Sequence, residues 1–210
     1  MPRSRDPGYH AQRELILANA ARLFARRGYS ATSMNEVAAA CKLSKASLYY
    51  YFRDKYALLF TITEGHVSRL RSVVSSVARE RLDADLELRE LISRVLGEYA
   101  IAQDSHRVLT EDVRFLTAKD RAVVLSQERE VVEAFADSVG RVRPQLKNVA
   151  LTKPLTMLLF GMINWMFTWM RADGPLDYDA MAPIVADLFL GGIGAVKVQV
   201  RRAPRRAKLK

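Results

Sequence analysis

The chain has 210 residues, half of them hydrophobic, a net charge of +10 and a single cysteine, Cys41. That composition supplies a real core, while one cysteine excludes an intramolecular disulfide or a multi-cysteine zinc site and fits a reducing compartment. The charge is uneven: residues 1–56 hold ten Lys/Arg against four Asp/Glu, residues 197–210 hold seven against none, and the middle holds sixteen against nineteen. Two readings fit this pattern: a polyanionic partner met by the two ends, or a solubilising tail beside an ordinary basic surface.

The first residues, MPRSRDPGYH, lack the apolar run of a signal peptide, so a cytoplasmic protein is expected. Residues 1–9 read as a flexible arm. Helical periodicity is widespread and strand alternation is not seen. His10 to Arg27 reads as the first helix, with Ile16, Ala20, Leu23 and Phe24 on one face and Gly28 as a left-handed stop. Ser33 or Thr32 caps a short second helix, and Ser33-x-x-Glu36 is a capping box. Ser44 caps a third, Lys45 to Phe52.

Asp54 or Lys55 opens a long fourth helix to about Arg81, and further helices are expected to about Gln103, near Ser105–Leu116 and over Lys119–Val142. Pro144 breaks the last of these. Thr152-Lys153-Pro154 starts a long apolar helix that ends at Ala172-Asp173-Gly174-Pro175, and Asp177 begins a final one to about Val198. The stretch Pro154–Met170 is free of charge, and its length and its Gly161 and Asn164 read as a helix buried by protein rather than a membrane span. The tail RRAPRRAKLK is too charged to fold alone. The predicted fold is all-α: a helix-turn-helix domain over residues 1–56, a helical effector-binding and dimerisation domain over 57–198, and a basic tail over 199–210.

The segment SMNEVAAACKLSKASLYYYFRDK carries the most specific chemistry. Two short helices joined by a tight turn form a helix-turn-helix, which lays its second helix in the major groove. The start of that helix presents Ser44, Lys45, Ala46 and Ser47, where free backbone N–H groups favour phosphate. Lys45 reaches a phosphate or a guanine edge, and Ala46 lets the backbone approach the bases. A helix this short cannot bury Tyr49, Tyr50 and Tyr51 together, so at least one faces outward, and tyrosine hydroxyls bind phosphate well. With Ser33 and a backbone clamp at Lys55, these eight residues are the predicted DNA face: Ser33, Lys45, Ala46, Ser47, Tyr49, Tyr50, Tyr51 and Lys55.

The block ILANAARLFARRGYSATSMNEVAAACKLSKASLYYYFRDKYALL resembles the DNA-binding domain of the TetR/AcrR family of bacterial transcriptional regulators. The elements that carry the resemblance stand in order: Leu23-Phe24, Gly28-Tyr29, Thr32-Ser33, Val37-Ala38, Leu43-Ser44-Lys45, Leu48-Tyr49-x-Tyr51-Phe52, Lys55 and Leu58-Leu59. The resemblance implies DNA contacts at Lys45, Ala46, Ser47, Tyr49, Tyr50 and Lys55, joined in some members by Tyr51. It departs at Cys41-Lys42, where the family has Ala-Gly. A lysine held in the left-handed conformation there costs roughly 1 kcal/mol.

The remainder shows no phosphate loop, metalloprotease motif or nucleophile elbow, so neither an enzyme nor a metal or cofactor site is expected. Leu155, Leu158, Leu159, Met162 and Gly191 are expected to form a four-helix interface with a second copy. Phe115, Phe135, Trp165 and Trp169 are candidates to line a ligand cavity. Residues 155–194 are similar to the final helices of TetR-like regulators of steroid, fatty-acid and phenylacetate catabolism, several of which sense acyl-CoA or aryl-CoA thioesters. That likeness implies such an effector, with Arg114, Arg141 or Arg143 available to CoA phosphates. The function expected is a homodimeric, ligand-released repressor on double-stranded DNA. The alternative is a helical DNA-organising protein without ligand control.

Overall fold

Capping explains where the helices begin in the computed structural model, which describes residues 7–170 and 176–197. All regular structure among the described residues is helical: α1 Pro7–Arg27, α2 Met34–Ala40, α3 Lys45–Tyr51, α4 Lys55–Arg79, α5 Ala84–Ile101, α6 Gln103–Asp112, α7 Ala118–Val142, α8 Thr152–Asn164 and α9 Tyr178–Ala195. Ser33, Ser44, Asp54, Thr117 and Asp177 each accept an N–H of the following first turn, satisfying donors that a helix start otherwise leaves free. At Ser33 the capping box is complete: Glu36 N donates to Ser33 Oγ at 3.3 Å and Ser33 N donates to Glu36 Oε2 at 2.7 Å.

Two apolar cores follow. The first joins Ile16, Ala20 and Phe24 of α1, Val37 and Ala38 of α2, Leu48 and Phe52 around α3, and Leu58, Leu59 and Ile62 of α4. It also takes in Val108 and Leu109 of α6, Leu116, and Val124 of α7. The second joins the far end of α4 to α5, α7, α8 and α9. α4, about 37 Å long at 1.5 Å per residue, therefore runs through both: Leu58 to Val67 lie in the first and Leu70, Val74 and Val77 in the second. The division expected at residue 56 follows the chain, whereas the N-terminal core draws on residues far beyond it.

Several element ends differ from expectation. Residues 7–9, placed in the arm by the sequence, are the first turn of α1 because Pro7 suits that position. α6 stops at Asp112 and tightens into a 3-10 turn, Val113–Phe115. The long apolar helix expected to reach Ala172 ends at Asn164 and passes into a 3-10 turn, Met166–Thr168. That turn carries Met166 into the core while Trp165 and Trp169 stay 62 % and 55 % exposed. The stop signal at residues 172–175 and the tail from 198 onward lie outside the described residues, as do residues 1–6.

The outer faces of α8 and α9 keep large apolar side chains in water: Leu158 is 66 % exposed and Leu188 65 %, with Ile184 beside them. Gly191 is exposed as well, whereas Leu155 and Met162 are half-buried. Leu159, expected on the same interface, is fully buried in its own chain's core. The reason is rotational: Leu159 shares the inward face with Thr156, Phe160 and Ile163. Among the described residues α9 alone is apolar and long enough to cross a membrane, with mean hydropathy 1.2. It is nonetheless a helix packed on α5.

The turn between α2 and α3 closes as a Schellman motif, in which Leu43 N donates to Ala38 O at 2.9 Å and Lys42 N to Ala39 O at 3.1 Å. Lys42 sits there at φ 56°, the left-handed conformation for which glycine is best suited, and Gly28 after α1 is at φ 83°. Lys42→Gly is expected to raise the unfolding free energy by about 1 kcal/mol and Gly28→Ala to lower it by about the same, as read by urea denaturation. Equal stability in both variants would show that neither backbone is strained.

Candidate functional site

α3 projects from the first core on two anchors, Leu48 and Phe52, which are 0 % and 4 % exposed. The rest of the helix is turned outward. Ser44, Lys45, Ala46 and Ser47 are all exposed, and Tyr50 and Tyr49 are 73 % and 42 % exposed. Ser47 N donates to Ser44 Oγ at 3.0 Å, and the two hydroxyls lie 2.7 Å apart. Lys45 Nζ lies 5.9 Å from the Tyr49 ring centre, which places cation and aromatic face side by side. Ser33, Lys45, Tyr49 and Lys55 share the rim of one shallow hollow, with Ser30 to Asn35 forming its other side. A basic, hydroxyl-rich and aromatic convex helix beside that hollow suits a phosphate backbone and a groove edge.

Lys55 has a different place from the one the sequence suggests. Its ammonium donates to the carbonyls of Tyr29, Ser30 and Thr32 at 2.8, 3.3 and 2.7 Å. An ammonium has three hydrogens, so none is left for a phosphate clamp. Lys55 instead ties the start of α4 to the loop between α1 and α2, with Nζ 4.4 Å from the Tyr29 ring. Tyr51 is half-buried because Tyr9 of α1 stacks on it at 5.0 Å, while Tyr9 meets Tyr50 edge-on at 6.0 Å. Tyr9 was hidden from sequence reasoning in what looked like a floppy arm. The tyrosine beside the Pro7-Gly8 helix start was the available signal.

The same loop reaches the C-terminal helices. Tyr29 N donates to Asp112 Oδ2 at 3.3 Å, and its ring lies 5.4 Å from Phe115. Tyr56 donates to Asp120 Oδ2 at 2.6 Å and accepts the N–H of Thr117 at 3.0 Å. Burial pushes the Asp112 carboxyl up, with the Tyr29 N–H opposing.

Above this junction lies a cavity of about 170 Å³, comparable to engineered cavities of about 150 Å³ that take a benzene-sized molecule. α4 supplies Val67 and Leu70, α6 His106, Leu109 and Thr110, and α7 Glu128, Val131 and Val132; Tyr99 of α5 and Met157, Phe160 and Asn164 of α8 complete the lining. None of the five residues expected to line a ligand site does so. Arg114 lies over the Phe115 ring at the domain junction, Phe135 packs on Phe160 in the core, and Trp165 and Trp169 face outward. Arg141 pairs with Glu87, and Arg143 donates to the Ile193 carbonyl. Glu128 was missed although a signal for it exists: Val124, Glu128, Val131 and Phe135 recur at helical spacing, which sets a carboxyl on an apolar face.

His66 and His106 lie buried beside the cavity, Nε2 to Nδ1 at 3.3 Å, and His106 stacks on Tyr99 at 3.7 Å. Burial, reinforced by its neighbour His106, pushes His66 down to about 3. Burial pushes His106 down to about 4, partly offset by the Asn164 carbonyl, although its Nε2 lacks a well-formed hydrogen bond. Both rings are therefore neutral at neutral pH.

Comparison with known proteins agrees with this architecture. A helix-turn-helix domain joined to a helical C-terminal domain is the architecture of a DNA-binding transcriptional regulator. Residues 16–62 match the family model described as bacterial regulatory proteins, tetR family, and residues 67–193 match the tetracyclin repressor-like C-terminal domain. The chain belongs to the TetR family of DNA-binding transcriptional regulators, which are not enzymes. A TetR-family regulator from Bordetella parapertussis is similar in structure, with TM-score 0.82 and 34% identity over 89% of this chain and 98% of that one. The transcriptional repressor KstR2 of Mycobacterium tuberculosis is 27% identical over 88% of this chain and 94% of its own. AibR, solved in complex with isovaleryl coenzyme A and operator DNA, shares the fold at TM-score 0.71 and 24% identity over 84% of this chain and 97% of its own.

Two outcomes check this geometry. Lys45→Ala is expected to weaken DNA binding, reduce the salt slope by about one and leave stability unchanged, whereas Lys55→Ala lowers the melting temperature as well; paired anisotropy titrations and thermal melts separate the two. Second, the unfolded chain's histidines titrate near 6.5, so below that pH it takes up protons that folded His66 and His106 refuse. Stability therefore falls as pH drops from about 6.5 towards about 4, by up to about 1.4 kcal/mol per pH unit for each ring. Replacing both by Gln should flatten the slope in urea titrations at pH 7, 6 and 5, and an unaltered slope would assign it to other groups.

Proposed function

We propose that the protein is a homodimeric repressor that leaves a palindromic operator when a small, largely apolar ligand fills the cavity between α4, α6, α7 and α8. The observation that carries this reading is the position of α6. Leu109 lines the cavity and also belongs to the N-terminal core, and Asp112 at the end of α6 holds Tyr29 of the α1–α2 loop. A ligand that shifts α6 or the adjoining α4 thus acts on the frame that carries α3. It acts only if it binds the DNA-incompetent state better; moving the balance from 99:1 to 1:99 takes roughly 5.5 kcal/mol of difference.

Two copies are needed to present two recognition helices to a two-fold site. The exposed Leu158, Ile184, Leu188 and Gly191 on α8 and α9 support a self-complementary four-helix contact. Repression is favoured by the likeness to KstR2, which bears that name. The acyl-CoA class is favoured by AibR's complex with isovaleryl coenzyme A. In this chain the cavity matches the acyl portion alone, so the nucleotide portion would lie outside it. The protein would work in the bacterial cytoplasm on nucleoid DNA. A cavity in this place counts against a DNA-organising protein without ligand control, which has no use for one.

DNA selected by the protein from random sequence should contain two inverted half-sites about one helical turn or more apart. Isovaleryl-CoA or phenylacetyl-CoA at micromolar concentration should release that DNA in a mobility-shift assay. Selected sequences without two-fold symmetry would overturn the dimeric reading, and release by neither thioester would overturn the acyl-CoA assignment.

A further inference from the structure

The cavity is apolar on most sides, and its polar groups come from four helices: Glu128 from α7, Asn164 from α8, Tyr99 from α5, and His106 and Thr110 from α6, the Thr110 hydroxyl donating to the His106 carbonyl. Their existing bonds decide what a ligand meets. The Tyr99 hydroxyl donates to Asn164 Oδ1 at 2.7 Å, so its hydrogen is taken and its oxygen remains an acceptor. His106 is engaged with His66 through Nδ1 at 3.3 Å, and its Nε2 faces the Asn164 carbonyl without a well-formed hydrogen bond. Glu128 stands apart: burial acts on its carboxyl with no cation to offset it. No Lys or Arg lines the cavity among the described residues. The Glu128 carboxyl is half-buried in the wall, and a ligand N–H would give it a hydrogen bond that the lining does not supply. An anionic ligand would set like charge against Glu128 with no Lys or Arg of the lining to compensate it.

We infer that the cavity takes a small apolar ligand whose polar end is an N–H donor, ammonium or neutral amide, received by the Glu128 carboxyl, and that it rejects the matching free carboxylate. This deepens the effector reading above and rests on it. An apolar amine carries such an N–H, and so does acylated coenzyme A, in the amide nearest its thioester. The donor is the shared chemistry. Glu128 is then the residue by which the protein tells an activated or aminated compound from the free acid.

The test uses three probes of nearly equal shape, 2-phenylethylamine, phenylacetamide and phenylacetate, titrated calorimetrically into the full-length protein and into Glu128→Gln, both checked by circular dichroism and thermal melting. The amine or the amide should bind the wild type at least about tenfold more tightly than phenylacetate, and Glu128→Gln should narrow that ratio to about threefold or less. A tighter amine assigns the site to cations, and a tighter amide to neutral donors such as the thioester arm. Glu128→Asp, which withdraws the carboxyl by one methylene, should weaken both N–H probes and supplies the same comparison if the Gln variant does not fold. Phenylacetate binding as tightly as either N–H probe, no binding by any probe, or a preference that survives both substitutions would overturn the inference. Operator release by an acyl-CoA that is indifferent to Glu128 would remove the donor rule and keep the effector site. Probes that bind as described without any change in operator affinity would keep the site and remove its regulatory role.

Discussion

The ammonium of Lys55, held by the carbonyls of Tyr29, Ser30 and Thr32, is the contact on which the rest of the architecture depends. Three carbonyls of a loop that makes no regular structure would otherwise need water or other partners. By meeting them, Lys55 fixes the start of α4 against the segment that leads into α2 and α3. The same loop is held from the other side by Asp112 and Phe115 at the end of α6. The helix-turn-helix and the C-terminal helices are therefore bonded through residues 28–32, beside the shared core and the Tyr56–Asp120 hydrogen bond, rather than joined only by the continuity of α4.

This arrangement gives the cavity a physical route to the recognition helix. α6 is short, with one face on the cavity and another in the N-terminal core, and α4 crosses both cores. Packed interiors respond to a filled cavity by moving whole elements rather than by yielding locally. A ligand under α6 and α4 thus has few ways to be accommodated that leave the Tyr29–Lys55 junction untouched. The buried, neutral His66–His106 pair links those two helices by one hydrogen bond.

The helix-turn-helix was legible in the sequence because its signals are local. Ser33 with Glu36, Ser44 with Ser47, and Gly28 each determine a helix end within a few residues. The outward tyrosines were legible because a helix of seven residues has too little circumference to hide them. What failed was long-range. Lys55 reads as a phosphate ligand until the carbonyls folded back over it are known. Trp165 and Trp169 read as cavity walls, but the 3-10 turn after Asn164 rotates them outward, and no local signal marks that turn. Leu159 and Leu158 are neighbours in sequence and differ completely in burial, since an apolar helix does not itself say which side meets its own chain. Glu128 was missed too, although a carboxyl within the stripe Val124, Val131, Phe135 marks it.

The central claim, that the DNA face and the cavity-lining α6 form one coupled unit through residues 28–32, is tested most directly by amide hydrogen exchange with and without the protein's own selected operator. Coupling is reciprocal, so DNA bound at α3 should slow exchange in α6, residues 103–112, which lies away from the duplex. Protection confined to residues 27–55, with α6 exchanging as in the free protein, would contradict the account.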